Sequence, residues 1–140
     1  MNWDECKKKR IVMEIFPRVE QVESLLSSSK KKFISYNQLN INEDTASSKA
    51  GLLYDSLRTI LEALAIKRGF KIYNHDCITC FLKEICNEVV LAETFDKYRV
   101  VRNGFNYYGE DISVENAKLM IRDLERLRKA ILDKYFGDKK

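Results

Sequence analysis

The stretch from residue 42 to residue 69, NEDTASSKAGLLYDSLRTILEALAIKRG, decides the fold class of this chain. Its apolar residues recur at steps of three and four, which places them on one stripe of a helix. The stripe consists of Ala46, Ala50, Leu53, Leu57, Ile60 or Leu61, and Leu64. Asn42 is the predicted N-cap and Gly69 the predicted C′ residue, after two basic residues that suit a helix carboxyl terminus. The pattern therefore predicts one long helix between these two residues.

Two further apolar stripes predict two more helices. One stripe begins after Asn74 and consists of Ile78, Leu82, Ile85 and Val89, with Phe81 beside it. The other begins at Ser113 and consists of Val114, Ala117, Ile121, Leu124 and Leu127 to Ile131. Ser113 is a favourable N-cap, and Glu115 puts a negative charge in the first turn, where the helix dipole favours it.

The remaining segments are also predicted to be helical. The first forty residues form helix, with Pro17 either kinking one helix or starting a second at its N1 position. Another helix covers residues 91 to 106, with Phe95, Tyr98, Val101 or Arg102, and Phe105 on one side. No segment of useful length alternates as a strand would. We therefore expect an all-α fold, a single domain over residues 1–140 that forms an up-and-down antiparallel bundle of four to five helices.

Composition and charge narrow the class of protein. A chain of 140 residues, 45% hydrophobic and 33% charged, is typical of one soluble domain. The amino terminus, MNWDECKKKR, lacks the apolar core of a secretory signal, so we predict a cytoplasmic location. The net charge is +4, with basic runs at residues 7–10 and 30–32. Such runs either attract nucleic acid or are simply solvated helix surface.

The segment HDCITCFLKEIC, residues 75–86, has the cysteine spacing of some zinc sites. A second cysteine pair or a paired histidine motif is missing from the sequence, since the remaining cysteine is the distant Cys6. We therefore predict no metal or other cofactor, and interpret Cys77 and Cys86 as free thiols beside the apolar face. A disulfide between Cys77 and Cys80 is not expected, because helical residues three apart are too widely separated. His75 is interpreted as a surface or capping residue.

The stretch from residue 99 to residue 113, RVVRNGFNYYGEDIS, concentrates groups that hold phosphates and bases. In one interpretation, Arg99 and Arg102 bind phosphate and nearby tyrosines stack on bases. In the other, both arginines pair with acids such as Asp96 or Glu110. Asn103 then caps the helix end, the tyrosines close the bundle and Gly109 takes the left-handed turn. Sequence motifs of phosphate loops, dinucleotide-binding folds, zinc proteases and serine hydrolases are absent.

The order of motifs in this region resembles the HEPN family of nucleotide- and RNA-associated domains. The pattern is R-N late in the penultimate helix, then YYG, a short acidic loop and S-x-E-x-A, all within residues 98–117. The resemblance implies a two-fold dimer. In catalytic members of the family an arginine, an adjacent polar residue and a histidine four to six residues later cut RNA without a metal. Arg102 and Asn103 match the first two elements, whereas Tyr107, Tyr108 and Gly109 occupy the place of the histidine.

In this interpretation the missing histidine favours binding of RNA over cleavage of RNA. A phenol with a pKa near 10 is ionised to about one part in a thousand at neutral pH, so Tyr107 is a poor general base. We expect a non-catalytic HEPN-like module that binds RNA or a nucleotide, or a helical partner of a small nucleotidyltransferase in a toxin–antitoxin pair. The predicted binding residues are Arg99, Arg102, Asn103, Tyr107 and Tyr108.

Two alternatives stay open. One is an active metal-independent ribonuclease with an altered residue set, Arg102, Asn103 and Tyr107. The other is a dimeric helical scaffold with no nucleic-acid role. In every case we expect a homodimer with the penultimate helix and Arg102 at or beside the interface, and no membrane partner.

Overall fold

The computed structural model describes residues 1–137, apart from the side chains of residues 106 and 107. In chain order the elements are helix α1 (Trp3–Lys8), strand β1 (Val12–Glu14), helices α2 (Val19–Gln38) and α3 (Ala46–Lys67), strand β2 (Phe70–Ile72), helix α4 (His75–Cys80), a π-helical turn (Phe81–Ile85), and helices α5 (Val89–Tyr107) and α6 (Val114–Tyr135). The predicted all-α class is confirmed. Within this part of the chain, no helix is both long and apolar enough to cross a membrane.

Helix α3 is the centre of the fold. Fourteen of its 22 residues are buried, more than the single apolar stripe predicts. Tyr54, Ala63 and Ala65 are buried beside that stripe. A helix that is apolar on several sides must be enclosed, and α3 is covered by α2, α5 and α6.

Side-chain contacts establish the directions of the four long helices. Lys49 of α3 donates to the carbonyl of Tyr36 near the end of α2, and Ser56 donates to Ser29 further back, so these helices are antiparallel. Tyr98 of α5 contacts Asp123 of α6, whereas Glu88, just before α5, contacts Lys134 near the end of α6. Helix α5 is therefore antiparallel to α6. Arg128 of α6 contacts Ser56, and Tyr135 contacts Lys67, so α3 and α6 run the same way. This is the up-and-down arrangement.

The helix ends test the predicted caps. Gly69 has φ +89°, the left-handed conformation of a C′ glycine, and Ser113 accepts a hydrogen bond from the amide of Asn116 at 3.1 Å. Both predictions are confirmed. Asn42 is not the N-cap of α3, which follows Thr45. Its side chain instead accepts from the amides of residues 44 and 45, in the turn before the helix.

The amino-terminal segment differs from the prediction of continuous helix. Strand β1 pairs antiparallel with β2, with Val12 opposite Ile72. Pro17 precedes Arg18, the N-cap of α2, so it neither kinks that helix nor occupies N1. Three-residue strands are too short to show a period of two, and the partner strand is distant in sequence. The expectation that the chain lacks strands is therefore wrong at this small sheet.

The second predicted stripe is interrupted. Ile78 and Leu82 are buried as expected, but the helix ends with the π-helical turn at Ile85. Asn87 then has φ +57°, a left-handed conformation that asparagine tolerates better than most residues. Val89 is 44% exposed and begins α5 instead of continuing the stripe.

A disulfide between Cys6 and Cys77 joins α1 to α4, with Cα atoms 5.9 Å apart. The interpretation of Cys77 as a free thiol is therefore wrong, while Cys80 and Cys86 are free. Beside the disulfide, the ring of Trp3 packs edge-on against Phe70, with centroids 5.1 Å apart. The covalent bond and this aromatic contact hold α1 against the bundle.

Replacing both bonded cysteines, Cys6→Ser with Cys77→Ser, should lower the free energy of unfolding by about 2–4 kcal/mol. The bond spans a sequence separation of 71, and its loss frees that loop in the unfolded chain. Urea denaturation followed by fluorescence of Trp3 measures the change. Cys86→Ser, at a free half-buried thiol, is the control and should cost less. A reductant that leaves the wild-type midpoint unchanged would contradict the disulfide.

Candidate functional site

Arg102 reaches from α5 across α3. Its Nη2 donates to Asp55 Oδ2 at 3.0 Å, and its side chain is 17% exposed. A Cβ at residue 51 would lie 3.1 Å from Arg102 Nε, so Gly51 provides the space for this approach within α3. The Nε atom is buried and, among the described residues, has no hydrogen-bond partner. Arg102 therefore lies flat against the central helix, with one end held by a carboxylate.

Arg99, one turn earlier on α5, is held by two carboxylates. Its Nη1 lies 2.7 Å from Asp76 Oδ1, and its Nε donates to Asp96 Oδ1 at 2.9 Å. Thr79 donates to the same oxygen of Asp96 at 3.2 Å. The interpretation in which the arginines pair with acids such as Asp96 is therefore correct for Arg99, whereas Arg102 pairs with Asp55, which it did not name. Glu110, the other suggested acid, lies against Gly104 instead.

His75 faces a buried tyrosine. Its Nδ1 lies 3.0 Å from the hydroxyl of Tyr54, whose ring stacks on Phe95 with centroids 5.4 Å apart. Asn74 is the N-cap of α4, since its side chain accepts from the amide of Asp76. The interpretation of His75 as a surface or capping residue is therefore wrong. No local pattern links it to Tyr54, 21 residues earlier on another helix.

Burial and neighbouring charges keep this pair neutral. Burial lowers the pKa of His75 from 6.5 to about 4, and the positive charges of Arg58 and Arg99 add to that shift. Burial also raises the pKa of the Tyr54 phenol, against the opposing charges of Arg58, Arg99 and Arg102. Three guanidinium groups thus act on one tyrosine. We call these three residues the arginine cluster.

The arginine cluster is not a positive patch. Arg58 pairs with Glu62 one turn away on α3. The three arginines therefore meet four carboxylates, those of Asp55, Glu62, Asp76 and Asp96. These ion pairs fix the orientation of the guanidinium groups but leave no excess positive charge to attract an anion from a distance.

A pocket of about 460 Å³ opens beside Arg99. Its polar walls include Asp76, Asp96, Lys83 and Glu84, and residues 1 and 2 close one side. Pockets that hold small ligands have about this volume. The pocket was not predicted, because three separate segments of the chain form its walls.

The other predicted site residues lie near the end of α5. Asn103 is half-buried and makes no side-chain hydrogen bond with the described residues, and it does not cap α5, which continues to residue 107. Tyr108 is the C-cap residue and is 76% exposed. Gly109 has φ +62°, the left-handed conformation that we expected. The side chain of Tyr107 lies outside the described residues.

In the part of the chain that the structure describes, no three His, Cys, Asp or Glu side chains are placed to hold a metal ion.

No family model matches the sequence, and no curated protein or solved structure is significantly similar to it. The resemblance of residues 98–117 to the HEPN family therefore stays a prediction.

The pKa of His75 predicts how stability depends on pH. Between pH 6.5 and about 4 the unfolded chain binds a proton at His75 that the folded chain does not, so acid favours unfolding. His75→Gln does not titrate and keeps an acceptor for Tyr54. From pH 7 to pH 4 the wild type should lose on the order of 2 kcal/mol more stability than this variant, after allowance for solvent screening. Equal losses in urea titrations at the two pH values would refute the burial of a neutral imidazole.

Proposed function

We propose that this protein is a non-catalytic HEPN-like module that binds RNA or a nucleotide beside α5. The observation that carries the proposal is the pair Arg99 and Arg102, one turn apart on α5, with Arg99 in the wall of the 460 Å³ pocket. Both guanidinium groups are already oriented by carboxylates, so a ligand does not have to order two long side chains.

The chemistry of guanidinium supports phosphate as the ligand. Each arginine has five N–H donors, and Arg102 uses Nη2 toward Asp55, while Arg99 uses Nε and Nη1 toward its two acids. The Nε of Arg102 is buried, so the contacts to phosphate oxygens come from the Nη donors that these acids leave free. The exposed ring of Tyr108 offers a surface on which a base stacks.

The proposal excludes catalysis for lack of a placed general base. His75 is neutral, but its Nδ1 faces the Tyr54 hydroxyl, and the residue lies on α4 rather than in the arginine motif of α5. Tyr107 has a phenol in the place of the histidine. The ribonuclease alternative would need one of these groups to accept a proton from the RNA.

Exposed apolar side chains on α5 support the proposed homodimer. Val90 is 74% exposed and Val100 is 57% exposed. Either a second copy of the chain or a helical partner such as a nucleotidyltransferase would cover them.

We also propose a cytoplasmic location. Disulfides are rare in a reducing cytoplasm, so the Cys6–Cys77 disulfide fits this location where disulfides persist, as in hyperthermophiles, or where the bond forms transiently as a redox sensor.

Arg102→Ala should weaken binding of a fluorescein-labelled single-stranded RNA, or of a labelled nucleotide, by about 1–3 kcal/mol, through loss of a charge-assisted contact. Fluorescence anisotropy at low salt measures the change. Lys7→Ala, at an exposed position of α1 that does not line the pocket, is the control and should change little. Thermal melting of each variant identifies the part of the effect that comes from leaving Asp55 unpaired.

Two results would count against this proposal. If Arg102→Ala unfolds the protein and the wild type binds neither RNA nor nucleotide at low salt, Arg102 is a structural partner of Asp55. If the wild type cleaves RNA with chelator present, and Tyr107→Phe or His75→Gln abolishes the cleavage, the protein is a ribonuclease.

The proposed dimer predicts the effect of a charge on the exposed side of α5. Val100→Asp should lower the mass measured by light scattering at micromolar concentration from that of two chains to that of one, because a carboxylate would lose its hydration in the interface. Leu119→Asp, at a 47% exposed position of α6, is the matched control and should remain dimeric. A wild type that is monomeric under these conditions would overturn the proposed dimer.

A further inference from the structure

The outer side of α6 carries a channel that is separate from the arginine cluster. One hollow of about 340 Å³ lies between α6 and the start of α3, and a second of about 470 Å³ lies between α6 and α2. Glu125 and Arg126 line both hollows, so the two hollows lie next to each other along α6. Their α6 residues run from Lys118 to Asp133, a length of about 22 Å along the helix. We call the two hollows together the α6 channel.

The α6 channel is strongly positive. Its six cationic residues are Lys49, Lys118, Arg122, Arg126, Arg128 and Lys129, and its two acidic residues are Glu125 and Asp133. The channel therefore carries a net charge of +4, which equals the net charge of the whole chain. The arginine cluster, by contrast, has more carboxylates than cations. An anion is therefore attracted more strongly to the α6 channel than to the arginine cluster.

Both carboxylates of the channel already have partners, which leaves cations available. The hydroxyl of Tyr36 donates to Glu125 at 2.6 Å, and Lys129 lies 2.8 Å from Asp133. Within residues 1–137, Lys118 and Arg126 have no acidic partner. Arg122 pairs with the adjacent Asp123, whose Oδ1 lies 3.5 Å from both its Nε and its Nη2. Lys118, Arg122 and Arg126 are thus three exposed cations spaced four residues apart along one helix, and within residues 1–137 only Arg122 contacts an acid.

Arg128 adds a flat surface to the channel. Its guanidinium group lies 3.6 Å from the centroid of the Phe33 ring, and its Nε donates to Ser56 Oγ at 3.3 Å. The stack and the hydrogen bond fix the plane of the group. Unpaired bases in RNA complexes stack on arginine planes of this kind.

We propose that the α6 channel binds single-stranded nucleic acid. The phosphates lie along Lys118, Arg122 and Arg126, and one base stacks on Arg128. A duplex fits less well, because its paired bases are not free to stack on a side chain. The inference rests on the proposed function in assuming a nucleic-acid ligand, but it assigns the salt-dependent part of the affinity to α6 rather than to α5.

The test uses the full chain and labelled 16-nucleotide single strands of RNA and of DNA, with anisotropy measured between 50 and 300 mM salt. The double variant Arg122→Gln with Arg126→Gln should bind about 10- to 30-fold more weakly near 0.1 M salt. The slope of log affinity against log salt should fall by about 1.4, the value for two lost phosphate contacts on a single strand. The matched control is Lys8→Gln with Lys9→Gln, which removes the same charge from exposed positions at the end of α1.

Arg128→Lys tests the stacking contact separately, because it keeps the charge and removes the plane. It should weaken binding of the oligonucleotide about fivefold or more, and leave binding of heparin, a polyanion without bases, unchanged. Equal losses for heparin and for oligonucleotide would overturn the stacking contact. A channel variant with wild-type affinity and salt slope would overturn the whole inference, while a loss in Arg102→Ala would still support the proposed function.

The remaining outcomes also separate the two proposals. Nucleotide binding without binding of either oligonucleotide would overturn the inference and leave the α5 site standing. Binding of polyglutamate that depends on Arg122 and Arg126, without binding of nucleic acid, would reassign the channel to an acidic protein partner. A wild type that binds no nucleotide and no oligonucleotide at 50 mM salt would overturn both proposals.

Discussion

The enclosure of helix α3 is the constraint on which the rest of the structure depends. A helix with this much buried surface gains stability only when neighbours cover it on every side. Helices α2, α5 and α6 do so, and their directions follow from the need to pack along its full length. This arrangement also positions Arg102, His75 and Arg128, because each of these side chains contacts a residue of α3.

Polar residues on α3 must be paired wherever a neighbouring helix covers them. Ser56 exchanges hydrogen bonds with Ser29 of α2, and Thr59 accepts from Lys32. On the opposite side, Tyr54 meets His75 and Asp55 meets Arg102. The same requirement that stabilises the bundle therefore places a histidine and an arginine on the adjacent residues Tyr54 and Asp55 of α3, and it accounts for those contacts without any ligand. A ligand of Arg102 would therefore bind the Nη N–H donors that do not contact Asp55.

The sequence predicts those features that depend on local periodicity. The period of 3.6 residues places α3, α5 and α6, and the caps at Ser113 and Gly69 follow from residue type. The ion pair between Arg99 and Asp96, which are one turn apart, was one of two interpretations that the sequence left open. Contacts between distant elements are beyond such reasoning. The pairing of Cys6 with Cys77, of β1 with β2 and of Tyr54 with His75 depends on how the helices meet. The α6 channel was missed because residues of α2 and α3 complete its walls, although five of its six cations lie on α6.

The disulfide divides the chain into a segment that it closes into a covalent ring and a segment that lies outside the ring. Residues 6 to 77 form a closed ring that contains α2, α3 and both strands, whereas α5 and α6 lie on the open carboxyl-terminal arm. The arm can therefore detach from α3 while the ring keeps its antiparallel helix pair, so amide hydrogens of α5 and α6 are expected to exchange faster than those of α2 and α3. The arginine cluster and the α6 channel both include residues of the arm. Their ligands would bind across the boundary between ring and arm and would hold the two parts together.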